Sequence, residues 1–142
     1  MTGFLLDTNV PSELTRPQSD PNVEHWLNAA DDGQLFLSVV SLGEILKGLT
    51  VLPASRRRRD LQQWIDETLR PWFDGRILSV TAGIAERWGI LAGDCHLKGK
   101  GLSMADGLIA ATALEHDLTV ATRNVRDFAD LGVSVFDPWS PF

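Results

Sequence analysis

The stretch GFLLDTNVPSE, residues 3–13, runs three apolar residues, Phe4, Leu5 and Leu6, straight into Asp7, followed by Thr8 and Asn9. The apolar run reads as a short buried strand, which delivers a carboxylate to the edge of the core. A buried carboxylate without a partner is strongly destabilising, so something must hold that charge. Two chemistries can do so: a backbone N–H at a helix start, or a metal ion.

Outward from this stretch the chain alternates between two patterns. Residues 34–40 (QLFLSVV), 77–80, 119–121 and 133–136 are short, β-branched or aromatic, and strand-like. Residues 23–28, 42–49, 55–70, 82–97 and 104–116 read as helices. In residues 55–70, Leu61, Trp64, Ile65 and Leu69 recur at helical spacings, and Pro71 is expected to stop that helix. Helices set between short, nearly continuous apolar strands define βαβ units. No Pro-, Gly- or Ser-rich linker divides the chain. The expectation is one α/β domain over residues 1–142, with a mainly parallel sheet of about five strands flanked by helices.

Bulk composition narrows the setting. A length of 142 residues with 44% apolar content suits one globular domain with its own core. No apolar run approaches the ~18 residues of a membrane span, and no secretory leader is visible, so no membrane partner is expected. A lone cysteine, Cys95, precludes an internal disulfide and points to a reducing cytoplasm. The net charge of −6 opposes a polyanionic partner unless basic groups cluster or cations offset the acids.

In parallel sheets the working site lies beyond the carboxyl ends of the strands. Asp7 belongs there, and three tetrapeptides reach comparable positions: SLGE (residues 41–44), SMAD (103–106) and NVRD (124–127). Taken singly, each is a helix start in which Ser or Asn caps one N–H and the acid three places on favours the helix N-terminus. Taken together, Asp7, Glu44, Asp106 and Asp127 would repel one another where no Arg or Lys matches them. A divalent cation removes that repulsion, and hard oxygen ligands select Mg²⁺ or Mn²⁺. Capping and metal binding do not exclude each other.

LLDTN, the glutamate of SLGEI, ADGLIAATA and ATRNVRDF, in that order, resemble the four signature blocks of the PIN-domain ribonucleases. Within that family the chain is most similar to the VapC-type toxins of bacterial toxin–antitoxin pairs, FitB-like members included. The resemblance runs from Phe4 to the terminal VFDPW, residues 135–139. It implies a metal-dependent endoribonuclease with RNA as substrate, with Asp7, Glu44 and Asp106 matching the family's acidic residues. It also implies a VapB-like antitoxin and a homodimer able to assemble further with that partner. The family's fourth acid falls at either of two places, here Asn124 and Asp127, and only the second is acidic. Asp127 is expected to serve the site through a bound water, with Asn124 capping the short helix that carries it.

One or two cations held by carboxylates can activate water and offset charge on a scissile phosphate, so no histidine has to act as base. His25, His96 and His116 lie on separate helices or at their ends, and Cys95 beside His96 suits neither a zinc site nor a thiol–base pair. Thr122 and Arg123 are secondary candidates, the hydroxyl to orient a ligand and the guanidinium to meet RNA; a turn residue and a solvated charge explain them equally well. The run Arg56, Arg57, Arg58 and Arg59 fans out around a helix and reads as solvated, although cations at a helix start are unfavourable. Trp64, Trp72 and Trp88 fall at core or interface positions. A haloacid-type phosphatase would need a second Asp where Asn9 stands, and a FEN-like DNA nuclease is larger. A non-catalytic binding or regulatory domain of the same fold would not need the acidic set.

Overall fold

Successive residues of the first strand point to opposite faces of the sheet, and this alternation divides the core in two. The structure, a computed structural model, describes residues 3–140. Strands β1 (Phe4–Leu6), β2 (Leu35–Ser38), β3 (Ile77–Leu78), β4 (Thr119–Ala121) and β5 (Val135–Phe136) form one sheet in the order β3-β2-β1-β4-β5. Every pairing is parallel. Leu6, Leu35, Leu37 and Ala121 enter one apolar cluster, while Leu5 and Val120 enter the other. On the first face lie α1 (Asn9–Glu13), α2 (Pro21–Ala29), α3 (Val39–Thr50), α4 (Arg56–Trp64) and α5 (Arg70–Trp72); they bury Val10, Leu27, Ile45 and Leu49 against the sheet. On the second face α6 (Ala82–Leu97) and α7 (Met104–His116) contribute Cys95, Ile109, Ala110 and Ala113. The fold is thus the expected single α/β sheet covered on both sides. No described helix is long and apolar enough to cross a membrane.

The strand order reverses between β1 and β4, since β2 and β3 lie to one side of β1 and β4 and β5 to the other. Such a reversal opens a crevice at the carboxyl ends of the strands. Leu6 pairs with both Leu37 and Ala121, which sets Asp7 beside Ser38 and Thr122.

Several boundaries depart from the sequence reading. The second strand stops at Ser38 and α3 begins at Val39, because the Ser38 hydroxyl accepts the Val40 N–H at 3.0 Å. Ser41 is therefore no capping residue; it lies inside α3, fully buried, with its hydroxyl oxygen unpaired. β3 and β5 are shorter than expected, spanning only Ile77–Leu78 and Val135–Phe136, whereas β4 covers the expected Thr119–Ala121. α1 was not foreseen as a helix, since five residues carry too little periodicity; Pro11 fits its first turn, where N–H groups are unpaired anyway. Pro71 does not stop its helix. A π-turn over Ile65–Leu69 widens the helix just before it, and the chain continues through α5. Proline has no N–H for the carbonyl four residues back and its ring needs room there, and a wider turn relieves both demands. Of the arginine run, Arg58 donates to the Leu52 carbonyl at 2.8 Å and Arg56 lies 3.9 Å from Asp60, both local to α4.

α7 approaches its neighbours closely because Gly107, Ala110, Ala111 and Ala113 are small and buried. At Gly107 a Cβ would stand 2.7 Å from Trp88 Cδ1, so the indole of α6 rests directly on the first turn of α7. Gly107→Ala should therefore destabilise the fold by about 1–3 kcal/mol. Gly48→Ala, with nothing within 4 Å of the added methyl, should instead stabilise it by about 0.5–1 kcal/mol. Urea unfolding of the two variants checks the pair, and equal midpoints would contradict the close packing.

Candidate active site

Asp7 is the first residue after β1 and is only 6% exposed. Its Oδ1 accepts the Thr8 N–H at 2.8 Å, and its Oδ2 accepts the Thr122 hydroxyl at 2.7 Å. The Asn9 amide reaches both Asp7 Oδ2 and Thr122 Oγ1 at 3.4 Å. Thr122, the first residue after β4, also accepts the Asn124 N–H at 2.9 Å. Its hydroxyl thereby donates once and accepts twice, from Asn124 and Asn9, the full capacity of that group. Of the two chemistries open to the Asp7 charge, local N–H and O–H donors hold it in part, and they leave it without a counter-ion.

The other acids reach the same edge from three elements. Glu44 is exposed on α3 and its Oε1 accepts the Thr8 hydroxyl at 2.5 Å, which ties the turn after β1 to that helix. Asp106 stands in the first turn of α7, whose N-cap Ser103 accepts the Asp106 N–H at 3.1 Å. The expected Ser103 cap is present. Asp127 is exposed on a 3₁₀ turn, Val125–Phe128. Asn124 precedes that turn but makes no side-chain cap; its own N–H is held by Thr122 instead. Asn124 is thus a correction to the expected capping role.

These four carboxylates interact through charge. Burial pushes Asp7 above its ordinary value, opposed by the bonds from Thr122 and Thr8 and aided by repulsion from Asp106 and Glu44. Burial likewise raises Asp106, with repulsion from Asp127 and Glu44. None of the four takes part in an ion pair among the described residues. Nor do three Asp, Glu, His or Cys side chains among the described residues converge at metal-ligand spacing. The acids share one edge and one field without closing into a tight cage. His25, His96 and His116 take no part in these bonds. Thr8 and Asn9 are the residues whose part the sequence concealed: after an acid at a strand end they read as turn chemistry, and their long-range partners are invisible in a linear pattern.

A parallel sheet with its crossover beside β1 and an acidic carboxyl edge is the architecture of a PIN domain, and the family model of that description matches residues 4–133. The toxin FitB of Neisseria gonorrhoeae is 37% identical over 136 residues, covering 96% of this chain and 98% of the relative. A chain of the crystal structure of FitAcB from the same organism superposes with a TM-score of 0.90 at 37% identity, over 96% of this chain and 98% of that one. The VapC ribonuclease Y4jK of Sinorhizobium fredii is 35% identical over 138 residues, 97% of this chain and 99% of the relative. A toxin–antitoxin complex from Klebsiella pneumoniae contains a chain with 26% identity and a TM-score of 0.71, over 96% and 98% of the two chains. The chain belongs to the FitB/VapC family of PIN-domain proteins.

A carboxyl raised on folding binds its proton more tightly in the folded chain than in the unfolded one. Its destabilising effect is absent below the ordinary value of 3.8 and complete above the raised folded value. The metal-free protein should therefore lose stability as pH climbs from about 4 through that window. Asp106→Asn removes one of the mutually repelling charges, so its urea midpoint should fall less over the same range. An equal or steeper fall in the variant would contradict the repulsion.

Proposed function

We propose that this chain is a divalent-metal-dependent endoribonuclease, the toxin of a VapBC-type toxin–antitoxin module, acting as a homodimer in the cytoplasm. The observation that carries the reading is four carboxylates, Asp7, Glu44, Asp106 and Asp127, sharing one sheet edge with no ion-pair partner among the described residues. An all-oxygen donor set with uncompensated charge fits Mg²⁺ or Mn²⁺. The ribonuclease name of a relative matched over nearly the full chain supports the same chemistry.

Asp7, Asp106 and Glu44 are the residues that would hold the cation directly, and Asp127 through a water. When bound, the cation lowers the pKa of water at the site and offsets charge on the scissile phosphate. The chain's own contribution is positioning. Thr122 and the Thr8 N–H hold the two oxygens of Asp7, so this carboxylate would be oriented before any cation arrives. The N-terminus of α7 favours the ionised form of Asp106, against the burial that raises it. Asp127 is exposed and free to turn toward the site, while Glu44 is already held at the turn after β1 by the Thr8 hydroxyl.

Purified protein with total RNA and Mg²⁺, with the cleaved ends mapped, tests the reading. Cleavage should require the metal and stop on adding a chelator. Asp7→Asn and Asp106→Asn should each abolish it while the metal-free melting temperature stays level or rises. Variants that melt lower yet cleave fully would remove both residues from the site. Asp127→Asn should lower activity less than Asp7→Asn and raise the Mg²⁺ needed, whereas Asn124→Asp should be tolerated.

The partner in this reading is a VapB-like antitoxin, as the Klebsiella complex and the toxin name of FitB suggest for a chain of this family. A guanidinium can fork two carboxylates and fill the space the cation needs. Replacing the antitoxin's arginines by alanine one at a time should reveal one whose loss releases the nuclease. Full inhibition surviving every such replacement would rule the mechanism out.

A further inference from the structure

Arg123, the residue after Thr122, stands at the acidic edge without neutralising it. The backbone N–H of Arg123 donates to Asn9 Oδ1 at 3.5 Å, so Arg123 hangs from the same small network that orients Asp7. Its guanidinium does not turn to the carboxylates. It lies over the indole of Trp139 instead, Cζ 5.5 Å from the ring centroid. Arg123 is exposed and forms no ion pair among the described residues.

Trp139 is itself fixed on three sides. Its ring packs against the cluster that holds Leu6 and Val23. The backbone N–H of Trp139 donates to Asp137 Oδ1 at 2.8 Å, and its backbone carbonyl accepts the Asn22 side-chain amide at 2.9 Å. The segment after β5 therefore works as a strap that carries an aromatic platform to the carboxyl edge. A guanidinium stacked on a fixed indole keeps its charge and its in-plane donors free for a second ligand. Such an arrangement also restricts the side chain's rotamers in advance, which lowers the entropy lost on binding.

We infer that Arg123, held on Trp139, forms a phosphate subsite that grips the RNA backbone next to the acidic centre, with Trp139 as its positioning residue. The inference rests on the ribonuclease reading above and adds what the acids cannot supply, a cation for the substrate itself. On a chain of net charge −6, a polyanion held only by metal-bound carboxylates would have no attraction from the protein before the cation is in place. Arg123 offers that attraction and stays out of the metal's way, because its guanidinium lies over the indole and makes no bond to Asp7.

The test measures binding of a short fluorescein-labelled single-stranded RNA with chelator present, across a series of salt concentrations. Arg123→Gln should weaken binding about tenfold and reduce the slope of log affinity against log salt by ~0.7, one phosphate's worth on a single strand. Arg87→Gln, which removes an equal charge from the Glu115 pair on the far helix, should leave the slope unchanged. Trp139→Leu should shift binding in the same direction as Arg123→Gln, Trp139→Phe should restore most of it, and the Arg123→Gln/Trp139→Leu double variant should bind no more weakly than Arg123→Gln alone. In cleavage assays the loss should fall on KM, with kcat and the Mg²⁺ requirement unchanged. Arg123→Gln binding like Arg87→Gln would overturn the subsite. A Trp139→Leu effect that persists without Arg123 would overturn the positioning role, since the ring would then touch RNA itself. A wild-type chain that binds RNA through Arg123 but never cuts it would sink the nuclease reading and leave the subsite standing.

Discussion

The hydrogen bond from the Thr122 hydroxyl to Asp7, 2.7 Å and buried, closes the site at the point where the strand order reverses. It links the ends of β1 and β4, neighbours in the sheet, through two residues 115 positions apart in the chain. Everything else at the edge is arranged about it. Thr8 passes from Asp7 to Glu44, Asn9 passes to Arg123, and Asn124 takes its place by donating to Thr122. A single hydroxyl with all its valences used thus sets the geometry of one carboxylate and, through it, the turns that carry two more acidic elements.

That arrangement sets stability against readiness. Most buried carboxylates find a cation of the protein's own, as Glu13 does: it is 5% exposed, accepts the Asp20 N–H at 2.8 Å and meets Arg16 at 3.3 Å. Asp7 is as deeply placed and, among the described residues, receives only neutral donors. The two residues show the same sequence treating similar burial in opposite ways, once as a structural tie for residues 14–20 and once as a charge left open. The fold tolerates the second because the helices on both faces bury large apolar side chains against a short sheet, and because Asp106 sits at a helix start where an anion is favoured.

Much of this was legible in the linear sequence. The strands announced themselves as apolar runs, the Ser103 cap of α7 lay where the tetrapeptide placed it, and the four acids do reach one edge. What remained hidden has physical reasons. The true cap of α3, Ser38, sits inside a β-branched stretch whose strand propensity masks a helix start, so Ser41 looked the better choice. Pro71 reads as a helix stop because local rules do not contain a π-turn, a feature that the packing of Ile65, Leu69 and Phe73 in one cluster rewards. The roles of Thr8, Asn9 and Trp139 depend on partners far along the chain, and no window of neighbouring residues contains them.

The central place of β1 has a temporal meaning. The strand made first needs the strand made almost last, for Asp7 is without its hydroxyl partner until Thr122 exists, 115 positions later. At a ribosome adding 5–20 residues per second, that interval is roughly six to twenty-three seconds. Long-range parallel pairing is also slow to form once the chain is complete. Throughout that time the emerging chain can hold only the β3-β2-β1 side of the sheet, with the acidic edge half assembled. The site centred on Asp7 is thereby completed only near the end of synthesis, and the delay follows from strand order alone.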